Sequence, residues 1–315
     1  YADIRWRAPA SIMAMRAGKD VFCQKPPCHT MAQGHMVVET ARRYGRVYQT
    51  GTQRLSEANH VFSIEMARTG RLGQIHTAYA DIRWRDGRRH DYLPAEPEPP
   101  REELYWDDFI GPCHWRPYNL GYVNGCGWYH FYDFATDVAM WGAHTVAQVL
   151  AGLDMSNVST IEFEYSSPEG PMATRLSNGV NLILARGPGC KYWHGSCGER
   201  FDGPEGWAAA ADGYSQPDVS SPALLVDHKK ILGEYMARTQ RPLHHVRDFL
   251  NCVRSRGETV AGPEVMYNSM MICLAADICE QLKRNLKLDL LKAEFVGDPD
   301  ANRLRSRAMR EPWCV

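Results

Sequence analysis

Residues 17–27 read AGKDVFCQKPP, and the reading of the chain starts from this stretch. Gly18 can close a helix, because glycine takes the left-handed conformation that ends one. Residues 20–23 are a short apolar strand. Lys25-Pro26-Pro27 then breaks it in a corner, since proline has no N–H to continue a ladder. Upstream, residues 8–18 (APASIMAMRAG) predict a helix, with Pro9 in its first turn and good helix formers behind it. Downstream, Thr30 caps a second helix through about Tyr44, Gly45 stops it, and residues 46–50 form the next strand. This alternation predicts the later half of a doubly wound parallel sheet. A complete dinucleotide-binding domain needs an earlier strand, a glycine-rich turn and a further strand–helix unit, and the residues before position 8 leave no room for them.

The 315 residues are 44% hydrophobic and 23% charged, as in a globular protein. A formal net charge of −1 argues against a general nucleic-acid surface. No run of apolar residues is long enough for a membrane span. No signal peptide is visible either, which leaves a cytoplasmic or a periplasmic location open. Ten cysteines are scattered without CxxC pairs. They are expected to be mostly buried thiols, and without a compact Cys/His quartet no metal site is expected.

YADIRWR occurs at 1–7 and again at 79–85. Nothing around it repeats, which excludes a solenoid period. The first copy reads as an artefact of sequence assembly or as an edge strand, and the second as part of a strand over 74–85. A helix is expected at 55–69. Residues 86–125 read as an ordered excursion pinned by Trp106, Phe109, Trp115 and Tyr118. Residues after Thr136 are strongly helical to about 150. Strands are expected around 160–165, 174–176, 180–185, 191–194 and 198–201, with a hairpin turn at Asn178-Gly179. Helices at 243–254 and 264–283 cover this sheet, the second through an apolar stripe of Val265, Met266, Met270, Leu274, Ile278 and Leu282. The expected fold class is therefore α/β plus α+β: the C-terminal half of a Rossmann-like sheet, then an open, mostly antiparallel sheet covered by helices. The expected domains are 1–53, a partial dinucleotide-binding domain; 54–290, a substrate and oligomerisation domain; and 291–315, a wrapping tail.

The segment AGKDVFCQKP resembles the AGKxVxxEKP segment of the Gfo/Idh/MocA-type oxidoreductases, with Gln24 in place of the family's Glu. Further segments carry the resemblance in order: WDDFIGPCHWRPYN (106–119), WYHFYDF (128–134), WGAH (141–144), GPEGW (203–207), HVRDFLNCVRSR (245–256) and DPDANRLRSRAMREPW (298–313). They are most similar to a branch seen in planctomycete and Bacteroidetes genomes. The resemblance implies an NAD(P) cofactor, a sugar or cyclitol substrate and a homo-oligomer, dimer or tetramer, built through the open sheet. It places a catalytic lysine at Lys25 and cofactor contacts at Lys25, Pro26 and Gln53.

The family also carries an Asp and, four residues later, a His on one helix face, where the carboxylate orients the imidazole. Here His144 is retained as the candidate base, but Met140 takes the Asp position. Asp137 lies two helical turns before His144, too far for direct contact, and Asp133 falls near the helix start; either could substitute. GPGC at 187–190 and GPEG at 203–206 lack the context of a phosphate loop and read as turns. Tight NAD or NADP binding is therefore not expected of this chain. Three functions stay open: a sugar or cyclitol dehydrogenase, inactive in this chain for want of the phosphate loop; a catalytically silent oligomeric scaffold or binding protein; and an NAD-assisted glycosidase.

Overall fold

Residues 3–7 do not form the edge strand expected of the first seven residues. In the computed structural model, which describes residues 3–82, 89–136, 138–167, 170–185, 187–188, 197–212 and 216–315, Asp3 caps a helix. Helix α1 runs Ile4–Arg16, and Ile4, Ala8, Ile12 and Met15 recur at helical spacing on its fully buried face. Trp6 meets Trp313 edge-on at 5.0 Å, and the Arg5 guanidinium lies over the rings of Phe109 and Phe134. The described part of the first copy of YADIRWR, residues 3–7, thus packs as the start of a helix. The second copy enters a strand, β3 (Thr77–Ala80), shorter than the 74–85 expected; residues 83–85 lie outside the described residues.

Ala17 and Gly18, the latter at φ +78°, end α1 and lead into β1 (Val21–Cys23). The corner follows, with a cis Lys25–Pro26 peptide. Helix α2 (Met31–Tyr44) starts where the Thr30 side chain accepts from the Gln33 N–H, and Gly45 closes it in the left-handed region. Strand β2 (Tyr48–Thr50) pairs parallel to β1, completing the small Rossmann-like sheet of the described residues. A 3-10 turn over Gln53–Ser56 then precedes α3 (Ala58–Arg68).

After β3 come α4 (Trp106–Ile110), α5 (Val138–Gly152), β4 (Thr160–Phe163), β5 (Met172–Leu176) and β6 (Asn181–Leu184). Then follow β7 (Glu199–Gly203), β8 (Gly206–Ala210), β9 (Asp218–Val219), α6 (His228–Thr239), α7 (His245–Ser255) and α8 (Pro263–Leu282). The chain ends through β10 (Leu286–Asp289), β11 (Glu294–Phe295) and α9 (Pro299–Arg303). The larger sheet has the order β11-β10-β4-β5-β6-β3-β7-β8-β9, and every neighbouring pair is antiparallel except β3–β6. The expected combination of α/β and α+β layers is what the chain adopts. Gly179, at φ +91°, turns the β5–β6 hairpin at the Asn-Gly pair, and GPEG joins β7 to β8. The strand expected at 191–194 lies outside the described residues.

Helices α3 and α5 lie on β7, and α8 packs on α5. The α8 stripe is buried at Met266, Met270, Leu274 and Ile278, whereas Val265, about 100° round the helix from Met266, is exposed and Leu282, in the last turn, is half-buried. In the excursion, Trp106, Tyr118, Tyr122, Phe131 and Phe134 form a separate aromatic core, with Phe109 packed against it. Trp115 instead stands exposed. The tail returns over this core: Arg310 reaches Asp107, and its N–H donates to the Pro112 carbonyl at 3.0 Å. Cys23, Cys28, Cys113, Cys252 and Cys273 are buried free thiols, Cys197 and Cys279 are also buried, Cys314 is exposed, and Cys190 lies outside the described residues.

Two glycine-to-alanine changes should have opposite signs. A Cβ on Gly152, at the end of α5, would stand 2.5 Å from the buried Phe201 ring on β7. Gly152→Ala is expected to destabilise the protein by about 1–3 kcal/mol through overpacking. A Cβ on Gly233, exposed within α6, meets nothing within 4 Å. Gly233→Ala is expected to stabilise by up to about 1 kcal/mol. Urea unfolding midpoints of the two variants check both.

Candidate active site

The corner after β1 brings Lys25 against the first turn of α5. Its Nζ donates to the Met140 carbonyl at 2.6 Å and lies 5.0 Å from the Trp141 ring centroid. Helix α1 holds the corner from behind, since Arg7 Nη1 donates to the carbonyls of both Lys25 and Pro26. Burial pulls the Lys25 ammonium below the ordinary lysine value, and the nearby Arg54 and Arg7 guanidinium groups push the same way.

His144 stands one turn after Met140 on α5 and is buried. Its Nδ1 lies 3.0 Å from Thr52 Oγ1, in the turn that follows β2. Burial holds the imidazole well below its ordinary value, and the positive charges of Lys25 and Arg54 lower it further. Lys25 and His144, remote in sequence, are therefore brought to one place. The Met140 side chain does not serve the imidazole: it packs with Ile4 and Ala135, and only its carbonyl reaches the corner.

Asp133 lies before α5 and forms an ion pair with Arg116, so it is not the substitute that the sequence left open. Asp137 lies outside the described residues. Of the residues assigned to a cofactor, Pro26 is buried in the corner and Gln53 is half-buried at the start of the 3-10 turn. Gln24 is exposed and lies across Gly51, where a Cβ would meet its Oε1 at 2.7 Å.

Three side chains of this region escaped sequence reasoning. Thr52 takes the place at His144 that a carboxylate was expected to fill. Arg54 pairs with Asp212, beyond β8, through Nε at 2.7 Å and Nη2 at 2.5 Å. The available signal for Thr52 and Arg54 was position: residues just past the C-terminal ends of parallel strands line the crevice of such a sheet. Asp212 carried none.

The fit to a dinucleotide is partial. Lys25, Pro26 and Gln53 gather beyond the C-terminal ends of β1 and β2. Among the described residues, β1 runs into the proline corner and β2 into a 3-10 turn, and neither strand enters a helix through a glycine-rich loop. GPEG is a hairpin with Gly203 paired to Gly206, and the last two residues of GPGC lie outside the described residues. The described residues thus supply no pyrophosphate cradle.

Residues 83–315 match the protein family described as "Oxidoreductase family, C-terminal alpha/beta domain" of the Gfo/Idh/MocA group. No curated protein matches the chain. Among solved structures, an NAD-binding protein from Listeria innocua is 15% identical, with a TM-score of 0.53 over 90% of this chain and 76% of that one. An aldose-aldose oxidoreductase from Caulobacter crescentus, solved with glycerol, is 17% identical, with a TM-score of 0.54 over 91% and 78%. The WlbA dehydrogenase from Bordetella pertussis, solved with NADH and UDP-GlcNAcA, is 14% identical, with a TM-score of 0.56 over 90% and 76%. At these identities the likeness is one of fold.

The depressed histidines give a pH dependence of stability. His29 is also buried and held well below the ordinary value, by burial and then by Arg307. Folded, His29 and His144 stay neutral; unfolded, both protonate below about pH 6.5. The unfolded state then binds more protons, so stability is highest above about pH 6.5 and falls as pH drops below it. Each group contributes a slope of up to about 1.4 kcal/mol per pH unit. Urea midpoints measured from about pH 7.5 to 5.5 should fall accordingly, and His144→Gln should reduce the fall. A flat profile would refute this.

Proposed function

Because the chain belongs to the Gfo/Idh/MocA oxidoreductase family, whose C-terminal domain it matches over residues 83–315, we propose that the Lys25–His144 corner handles a hydroxyl group of a sugar or cyclitol in an NAD(P)-linked oxidation. The observation that carries this reading is the 2.6 Å contact between Lys25 Nζ and the Met140 carbonyl, which holds the ammonium one turn from His144.

The chemistry of the two side chains follows from their surroundings. His144 is neutral near pH 7 and can accept a proton. In the tautomer whose Nδ1–H donates to Thr52 Oγ1, Nε2 carries the lone pair that takes the proton from the hydroxyl. Lys25 has three N–H donors, one of which serves Met140; the others can stabilise the developing alkoxide. Thr52 is a neutral partner, so it stabilises an imidazolium less than the family's carboxylate would. His144 is therefore a weakened base.

A bound dinucleotide supplies the hydride acceptor in such oxidations. The described residues lack its phosphate cradle, so this chain is expected to retain it weakly and to turn over slowly or not at all. The weakened base and the missing cradle together also favour a second reading, a silent relative that binds polyols without oxidising them.

Calorimetry of NAD(H) and NADP(H) against the 315-residue chain tests the cofactor part. No binding up to millimolar concentration is expected, and micromolar binding would overturn it. Saturation-transfer NMR with myo-inositol tests the hydroxyl site. Lys25→Ala is expected to weaken binding by about tenfold or more, the worth of a charged hydrogen bond; unchanged binding would place the polyol elsewhere. Hydroxyl oxidation lost in His144→Ala would select the enzyme over the silent relative.

A further inference from the structure

A second polar cluster lies beside the corner, built from α3, α5 and β7. Glu199, Ser63, His60 and Gln148 are fully buried. Ser63 Oγ donates to Glu199 Oε1, and the Gln148 amide donates to Glu199 Oε2 at 2.7 Å and to the Cys197 carbonyl at 3.2 Å. His60 Nδ1 lies 2.8 Å from the same Oε2. It also lies 2.7 Å from the Gln148 amide nitrogen, whose two hydrogens are already placed. The imidazole proton therefore sits on Nδ1 and goes to Glu199, leaving a lone pair on Nε2.

That Nε2 is buried and has no hydrogen-bond partner. An orphaned buried acceptor is unfavourable, because it has given up its water without gaining a partner, and it calls for an occupant. It faces Glu57 Oε2 at 3.9 Å, too long for a hydrogen bond. With Glu57 and Asp212 it offers three ligand atoms that all lie within 4.8 Å of one another. Glu57 and Asp212 are partly exposed, which gives a path from solvent.

We propose that Glu57, His60 and Asp212 bind a divalent transition-metal cation, with Glu199 orienting His60. One imidazole and two carboxylates suit Zn²⁺ or Mn²⁺ and leave coordination positions open. A carboxylate behind the ligating histidine is the usual outer support of such sites, because it fixes the tautomer. Ligand atoms around an ion bound at about 2.1 Å stand roughly 3.4 Å apart, so the partly exposed Glu57 side chain has to swing inward to close the remaining distance. Arg54 competes for Asp212 and lowers the affinity.

The inference does not depend on the hydroxyl reading, since it is tested without substrate or dinucleotide. The probe is Mn²⁺, which thiols bind weakly, titrated into the EDTA-treated and dialysed 315-residue chain. Calorimetry and loss of the free-Mn²⁺ EPR signal are expected to show one site in the micromolar range. Glu57→Gln, partly exposed and outside the buried network, should keep the near-UV spectrum and weaken binding more than tenfold, as should Asp212→Asn. Arg54→Gln, which removes a competitor for Asp212, should tighten it severalfold. Absence of binding up to millimolar Mn²⁺, or affinity unchanged by both carboxylate substitutions, would overturn the proposal.

Discussion

The buried carboxylate of Glu199 fixes where α3 and α5 stand on the large sheet. A carboxylate without solvent is tolerated only when its oxygens are hydrogen-bonded, because an uncompensated interior charge costs several kcal/mol. Here α3 supplies Ser63 and His60, α5 supplies Gln148, and β7 supplies the charge itself. The three elements can meet only in one register. His144 lies one turn before Gln148 on the same face of α5. Its approach to Thr52 and to the Lys25 corner is thus set by a network that it does not join.

The corner is held from two further sides. Arg7 on α1 takes the carbonyls of Lys25 and Pro26, while α5 accepts the Lys25 ammonium through the Met140 carbonyl. The place of a carboxylate beside His144 is taken by a hydroxyl. Lys25 and Arg54 already disfavour a further cation at His144. A carboxylate would offset that field and stabilise the imidazolium; threonine orients the ring and leaves the field in place.

What the sequence made legible was local: the caps at Thr30 and Gly45, the proline corner, the Asn178-Gly179 hairpin and the middle of the α8 stripe. Each depends on residues within a turn or two of one another. YADIRWR was not legible in this way, because its helix rests on contacts with Phe109, Phe134 and Trp313. Residues 206–210, GWAAA, carry no strand pattern, yet they form β8 because β7 pairs with them in register and α3 covers them. In the same way β10 becomes a strand only beside β4, far earlier in the chain. At the site, Lys25 and His144 stood out in the sequence, whereas Thr52, Arg54 and Asp212 became visible only once the ends of β2 and β8 were placed.

The two polar clusters are not electrostatically separate. Arg54 pairs with Asp212 in one and depresses the imidazole of the other. Charges at such distances interact appreciably where the surroundings exclude water. A divalent cation on Glu57, His60 and Asp212 would therefore add to the field of Lys25 and Arg54, and would push His144 further toward its neutral form. An ion there would keep the imidazole ready to accept a proton while making the resulting cation harder to hold. Its effect would thus fall on the proton-transfer step, even if no hydroxyl oxygen ever touched it.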